Sequence, residues 1–449
     1  MNAPAADTES RPAHPPGFRA RRGLNWVSLG LMYASFYLCR YNFRWATPDI
    51  RKEFGYSYGD ITLILGCWSW AYGVGQLVNG LIADRIGGRR AMLIGAAGMI
   101  LANFAFGAAS GIGSFTTFTL IWVVNGYMQA FGAPGMIKIN AAWFNPTERG
   151  TFAGIFGFMI QLGQLGINQL APALLAGFTL FLFTVPALPW KWLFWVPPVI
   201  AALAALLVVF GVKETPEEAG FDHLQPGEAA RTADAVRVTI KESFHTIVRH
   251  PLVWFYALAY ACTGAVRHGA DHLAVLYFVD ELKLNRSDQA LRTTLQLMPL
   301  MAVLGSFSAG FISDKIFKGH RSPVAMTLYF LETAVILTAV LVIEGLGAKS
   351  LFLSCFFLVM ISLTANSTHA IVGAAAPMDI GGRRMAGFAA GVIDSFQYFG
   401  SGIALPLMGW LLDKYGWVTW FPAMAGFGFI GGCAMLLVMR KQRLTGRIQ

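Results

Sequence analysis

Apolar runs of about twenty residues, separated by short polar loops, recur along the whole chain. As a helix, a run of that length crosses the roughly 30 Å hydrocarbon core of a bilayer. Only helices and closed barrels satisfy their own backbone there. Twelve runs are legible, over 24–46, 62–83, 91–110, 116–138, 151–173, 193–212, 252–279, 293–313, 324–345, 350–376, 387–411 and 417–438. They predict an all-α membrane protein. The longest polar stretch lies between the sixth and seventh runs. The expected organisation is a tail over 1–23, a six-helix half over 24–212, a linker over 213–250, a second six-helix half over 251–438 and a tail over 439–449.

An internal repeat agrees with that division. "GLIADRIGGRR" follows the second span and "GFISDKIFKGHR" follows the eighth, each opening Gly-x-x-x-Asp and then a basic residue. Glycine lets helices approach closely. Asp84, Arg85 and Arg89 in the first copy, and Asp314, Lys315 and Arg321 in the second, can pair with neighbouring helices and latch one conformation. Two copies at equivalent positions imply parallel halves about an axis along the membrane normal, the major facilitator architecture.

Composition sharpens the class. Hydrophobic residues make up 55% and charged residues 13%, against about 25% charged in soluble domains. The net charge of +10 does not indicate nucleic acid, because the basic residues gather in short loops such as "DRIGGRR", "SDKIFKGHR", "GGRR" and "RKQRLTGR". Those loops fall on one side if the spans alternate, which places both termini in the cytoplasm of a bacterial inner membrane. The five cysteines sit in apolar runs at spacings that suit neither a metal site nor a disulfide framework. No glycine loop followed by Lys-Ser/Thr is present, so ATP hydrolysis is not indicated. No cofactor, metal or enzymatic activity is expected. The partners expected are a small anion and the lipid bilayer, with the chain a monomer.

The candidate chemistry is two arginines where arginine is expensive. Arg40 in "YLCRYN" and Arg267 in "CTGAVRHGADH" each lie about fifteen residues into the first span of their half. A guanidinium at that depth costs from about 3 to over 10 kcal/mol. The repeat places the two facing each other, where they repel unless an anion lies between them. Their planar forks suit an oxyanion, phosphate above all. The alternative is that each pairs with a carboxylate, Asp271 or Asp394. Asp271, one turn after Arg267, is either its intrahelical partner or a counter-ion for the empty protein. His272 and His369 are hydrogen-bonded structure or cavity lining. Asp394 can pair with an arginine, carry a proton or meet a cationic group on a ligand. Tyr37, Tyr41, Asn42, Trp68, Tyr72, Gln161, Gln164 and Tyr398 are candidate wall residues. Lys138 reads as a snorkelling side chain at a helix end.

On "YLCRYNF", "WAYG", "WFNPTERG", "VRHG", "GFISDKIFKGHRSP" and "RRMAGFAAGVIDSFQYFGSG", the chain resembles the organophosphate:phosphate antiporters of the major facilitators. Members carry glycerol-3-phosphate, hexose phosphates and phosphoglycerates. The resemblance implies import of a small organophosphate or phosphonate by alternating access in exchange for inorganic phosphate, and it gives Arg40 and Arg267 the grip on the phosphate. Three positions depart. Gln76 stands where members often have a lysine, Ile160 and Gln161 where glycerol-phosphate carriers have His-Asn, and Asp394 where those carriers have a small residue. The site has lost a cation and an imidazole and gained an acid, which favours a ligand bearing an ammonium group, such as 2-aminoethylphosphonate. The rival readings are a proton-coupled symporter and a membrane sensor of the same anion.

Overall fold

The computed structural model describes residues 15–144, 149–180, 183–221, 249, 251–317, 320–345 and 350–444. Most of the expected linker and the outer parts of both tails lie outside them.

Each of the twelve expected spans is helical. In the first half, α1 is Phe18–Phe54, α2 Tyr58–Ile86, α3 Gly88–Ala108, α4 Phe115–Gln129, α5 Gly132–Trp143, α6 Arg149–Ala176 and α7 Val196–Gly211. In the second, α8 is Pro251–Leu276, continued by a π-turn over Tyr277–Glu281, α9 Gln289–Lys315, α10 Arg321–Ala339, α11 Leu351–Tyr415 and α12 Trp420–Leu444. Seven of these segments are long and apolar enough to cross a membrane on length and composition alone. α4 and α5 are each shorter than a full span, because the fourth span is broken. Many leucines, valines and phenylalanines are exposed along the helices, as a lipid-facing surface requires.

Three elements differ from the sequence reading. α1 starts at Phe18 rather than at 24, because Phe18 is buried between Trp143 and Phe221. The fourth span breaks at "FGAPG" into α4 and α5, where Pro134 and two glycines disfavour an unbroken helix. The tenth and eleventh spans form one continuous helical run of 65 residues. A straight rod of that length would reach about 98 Å. However, Gly373 packs on Tyr260 of α8, while Gly400 packs on the adjacent Ala261. Residues 351–373 and 391–415 therefore lie side by side as two spans. A short hairpin, Phe178–Leu180 with Phe183–Val185, adds the one sheet among the described residues.

Helix ends are set locally. Gly55 at φ 69° closes α1, and Ser57 opens α2 with a reciprocal capping box to Asp60. Gly87 at φ 93° separates α2 from α3, and the Glu214 carboxylate accepts from the Gly88 amide at the start of α3. The starts of α1 and α8 and the end of α12 define one face of the bundle, the termini face. The α1–α2, α8–α9 and α11–α12 turns define the opposite face.

Every hydrogen bond and ion pair between described residues of the two halves lies at the level of the α1 midpoint or towards the opposite face. There Arg286 grips Asp49 through both terminal nitrogens, at 2.5 Å each. Arg51 pairs with Asp280. The amides of Tyr58 and Gly59 donate to Asp413 at 2.8 and 2.7 Å. The opposite face is clasped shut.

Candidate anion-binding site

Arg40 and Arg267 occupy matched positions. Each is fourteen residues before the end of its helix on the opposite face, Phe54 for one and Glu281 for the other. Both side chains are buried, at 2% and 6% exposure.

Aromatic faces and an amide relay hold Arg40. Its guanidinium carbon lies 4.5 Å from the Tyr37 ring centroid, 4.8 Å from Trp68 and 4.6 Å from Tyr72. Each such contact contributes about 0.5–2 kcal/mol. Nε donates to Gln129 Oε1 at 2.9 Å. Gln129 Nε2 donates to Asn125 Oδ1 at 2.7 Å, which also accepts from Trp68 Nε1 at 3.0 Å. The plane of the fork is thus fixed, yet Nη2 has no partner. Arg267 leaves its Nε unpartnered too. No carboxylate of a described residue lies within 4.0 Å of either guanidinium. Among the described residues, neither arginine forms the carboxylate ion pair of the alternative reading.

Asp271 does not pair with Arg267 one turn away. Its carboxylate accepts from the Tyr41 hydroxyl at 3.1 Å across the halves. Its main-chain carbonyl accepts from Arg44 Nη1 at 2.9 Å. Arg44 is a third buried guanidinium, one turn after Arg40, and its Nη2 donates to Asn168 at 2.6 Å. His272 stacks on Tyr41 and His268 stacks on His272, with ring centroids 5.2 and 5.7 Å apart. None of the four imidazole nitrogens of this pair has a partner. Tyr72 and Tyr398 meet across the halves at 4.1 Å between centroids. His369 is hydrogen-bonded to Tyr260 at 2.8 Å. Gln161 is buried with a free Oε1, on α6 where it packs against α1. Gln76 lies one turn beyond Tyr72, half-buried. Asp394 is half-buried, makes no hydrogen bond or ion pair with a described residue, and stands one turn before Tyr398 on α11.

The contacts of the first latch motif lie inside its own half. Asp84 approaches Lys138 of α5 at 3.9 Å, and Lys138 also donates to the Ala83 and Asp84 carbonyls. Lys138 is therefore tied to α2, rather than simply extended to the interface. Arg89 donates to the Val209 carbonyl. Asp314 and Lys315 make no ion pair among the described residues.

Sequence reading missed Arg44, His268, Asn125, Gln129 and Asn168, and also Glu332, a fully buried carboxylate on α10 that accepts from Thr368 at 3.2 Å. The signal was present in each case: a polar residue inside an apolar run. Arg44 follows Arg40 by a single turn in the same apolar run.

The profile of the Major Facilitator Superfamily matches residues 29–404. The glycerol-3-phosphate transporter of Bacillus subtilis is 28% identical over 400 residues, covering 87% of this chain and 86% of that protein. The membrane sensor protein UhpC of Escherichia coli is 24% identical, covering 92% and 90%. The phosphoglycerate transporter protein of Salmonella typhimurium is 26% identical, covering 89% and 85%. Among solved structures, a bacterial homologue of the human lysosomal transporter Spinster, in its inward-facing and occupied conformation, superposes with a TM-score of 0.73 at 15% identity, over 95% of this chain and 98% of that one. These relatives agree with the resemblance drawn from the sequence motifs.

Proposed function

Since the chain belongs to the Major Facilitator Superfamily, we propose that it is a secondary carrier that moves a small organophosphate or phosphonate anion across a bacterial inner membrane, in exchange for inorganic phosphate. The observation that carries this reading is the arginine pair. One buried guanidinium from each half has a nitrogen with no hydrogen-bond acceptor, and neither guanidinium is ion-paired, among the described residues. Burying such donors unpaired costs roughly 1–3 kcal/mol each, more for charged groups. An oxyanion between them removes both that cost and their repulsion. The curated relatives named as glycerol-3-phosphate and phosphoglycerate transporters support phosphate esters as the ligand class.

With the termini in the cytoplasm, the clasped opposite face is periplasmic, as an inward-facing carrier requires. Alternating access then requires the clasp to open while the halves close at the termini face. A bound anion favours that passage through the occluded state, because it neutralises charge that would otherwise be enclosed unpaired.

The test is labelled phosphate uptake into phosphate-loaded proteoliposomes with no ion gradient imposed. Exchange is expected. Uptake only under an inward proton gradient would replace exchange with symport. Ligand binding with no flux of any kind would favour the sensor reading.

A further inference from the structure

The central site holds two carboxylates with different situations. Asp271 is committed to Tyr41. Asp394 is half-buried and has no hydrogen-bond or ion-pair partner among the described residues. It stands one turn before Tyr398, whose ring meets Tyr72, the ring over the Arg40 guanidinium, and His268, the neighbour of Arg267. Gln397, one turn further along α11, leaves its own Nε2 unpartnered and does not serve it. A free carboxylate beside an anion site works against an anion with a neutral tail, since like charges in a partly desolvated site repel strongly.

The charges of the site give the same answer. Three guanidiniums, Arg40, Arg44 and Arg267, face two carboxylates, Asp271 and Asp394. With neutral imidazoles, one positive charge remains. Glu332 lies apart, bonded to Thr368. An enclosed site near the bilayer centre is most stable when neutral overall, so it best accepts a ligand of net charge minus one. Monoanionic phosphate meets that condition. So does a doubly ionised phosphate ester or phosphonate that also carries an ammonium group. A dianion with a hydroxyl tail does not, and would bind only as its protonated monoanion, which leaves Asp394 without a cationic partner.

Resting on the carrier reading above, we propose that Asp394 is the specificity-determining residue of this site and that its organic substrate is an amine-bearing phosphonate or phosphate monoester. The oxyanion lies between Arg40 and Arg267, and the ammonium meets Asp394. Exchange of such a zwitterion for monoanionic phosphate moves no net charge, so the same occluded state serves both directions of transport.

The isosteric pair 2-aminoethylphosphonate and 2-hydroxyethylphosphonate isolates the ammonium. Each competes against labelled phosphate in the exchange assay, and each is also scored by thermal stabilisation of the purified protein. In the wild type the amine should compete at a concentration at least roughly tenfold lower. Asp394→Asn should reduce that ratio to within about threefold, while Asp394→Glu, which keeps the carboxylate, should preserve the preference. Equal or better competition by the hydroxyl compound in the wild type overturns the assignment, and so does an amine preference that survives in Asp394→Asn. If stabilisation by the amine compound depends on Asp394 but no flux occurs, the carrier reading falls and the specificity assignment stands. If phosphate exchanges but neither compound competes, the carrier reading stands and the specificity assignment falls.

Discussion

Arg40 is held by groups that satisfy its Nε and leave its Nη2 unpartnered, and that arrangement makes a prediction about Gln129. The Gln129 amide fixes the guanidinium plane through Nε without reaching the position proposed for the ligand. Gln129→Leu should therefore weaken phosphate binding by roughly 10- to 100-fold, the worth of a hydrogen bond to a charged group, and also lower the melting temperature, because the Arg40 Nε–H loses its acceptor. Isothermal titration of the purified variant checks this, and an unchanged affinity would show that the aromatic cage alone orients Arg40. At this scale the sequence was legible where charge conflicts with an apolar run, as at Arg40 and Arg267. Neutral amides give a weaker signal. Asn125 and Gln129 stand four apart on one helix face, but a buried amide costs far less than a buried charge. The partner of Asp271 was illegible for a different reason, because Tyr41 reaches it from the other half and no spacing within α8 encodes that contact.

The elements pack through glycines at the crossings. A Cβ at Gly264 of α8 would collide with the Gln397 carbonyl of α11, and one at Gly400 of α11 with the Ala261 carbonyl of α8. Each glycine thus lets the other helix's backbone approach, and together they set how Arg267 stands relative to Asp394. Gly264→Ala should lower stability by about 1–3 kcal/mol through overpacking. Gly426→Ala on α12, where an added Cβ meets nothing within 4 Å, should be neutral or stabilising by up to about 1 kcal/mol. Melting curves of the two variants in one detergent make the comparison, and equal losses would contradict the packing described. The existence of twelve spans was readable from hydropathy. The break between α4 and α5 was written in "FGAPG" but hidden by the apolar residues around it. The extra turn of α1 depends on Phe18 meeting Trp143 and Phe221 from distant parts of the chain, which periodicity does not report.

The molecule as a whole is a pair of halves clasped on one face. The clasp uses charges of both signs on each side: Asp49 and Arg51 from α1, Arg286 and Asp280 from the second half. These side chains are about a fifth to a quarter exposed, so the two pairs together contribute about 1–2 kcal/mol. Replacing both acids, Asp49→Asn with Asp280→Asn, should shift the balance between inward- and outward-facing forms by roughly tenfold. Spin labels at Lys52 and Ser287 should then report a longer distance population across the opposite face. The charge exchange Asp49→Arg with Arg286→Asp should restore the short one. The two-half plan was visible in the repeated Gly-x-x-x-Asp motif, whereas the clasp was not, because its ion pairs join residues more than two hundred positions apart and belong to no repeated motif.

The account stands on an oxyanion shared by Arg40 and Arg267, and phosphate binding to the purified protein tests that most directly. Titration calorimetry of the wild type, Arg40→Lys and Arg267→Lys with inorganic phosphate compares fork with point charge at each position. The account predicts saturable binding to the wild type and a loss of at least about tenfold in each lysine variant, with melting temperatures in the absence of phosphate close to wild type. Wild-type affinity in either variant would contradict the shared grip and remove that arginine from the site.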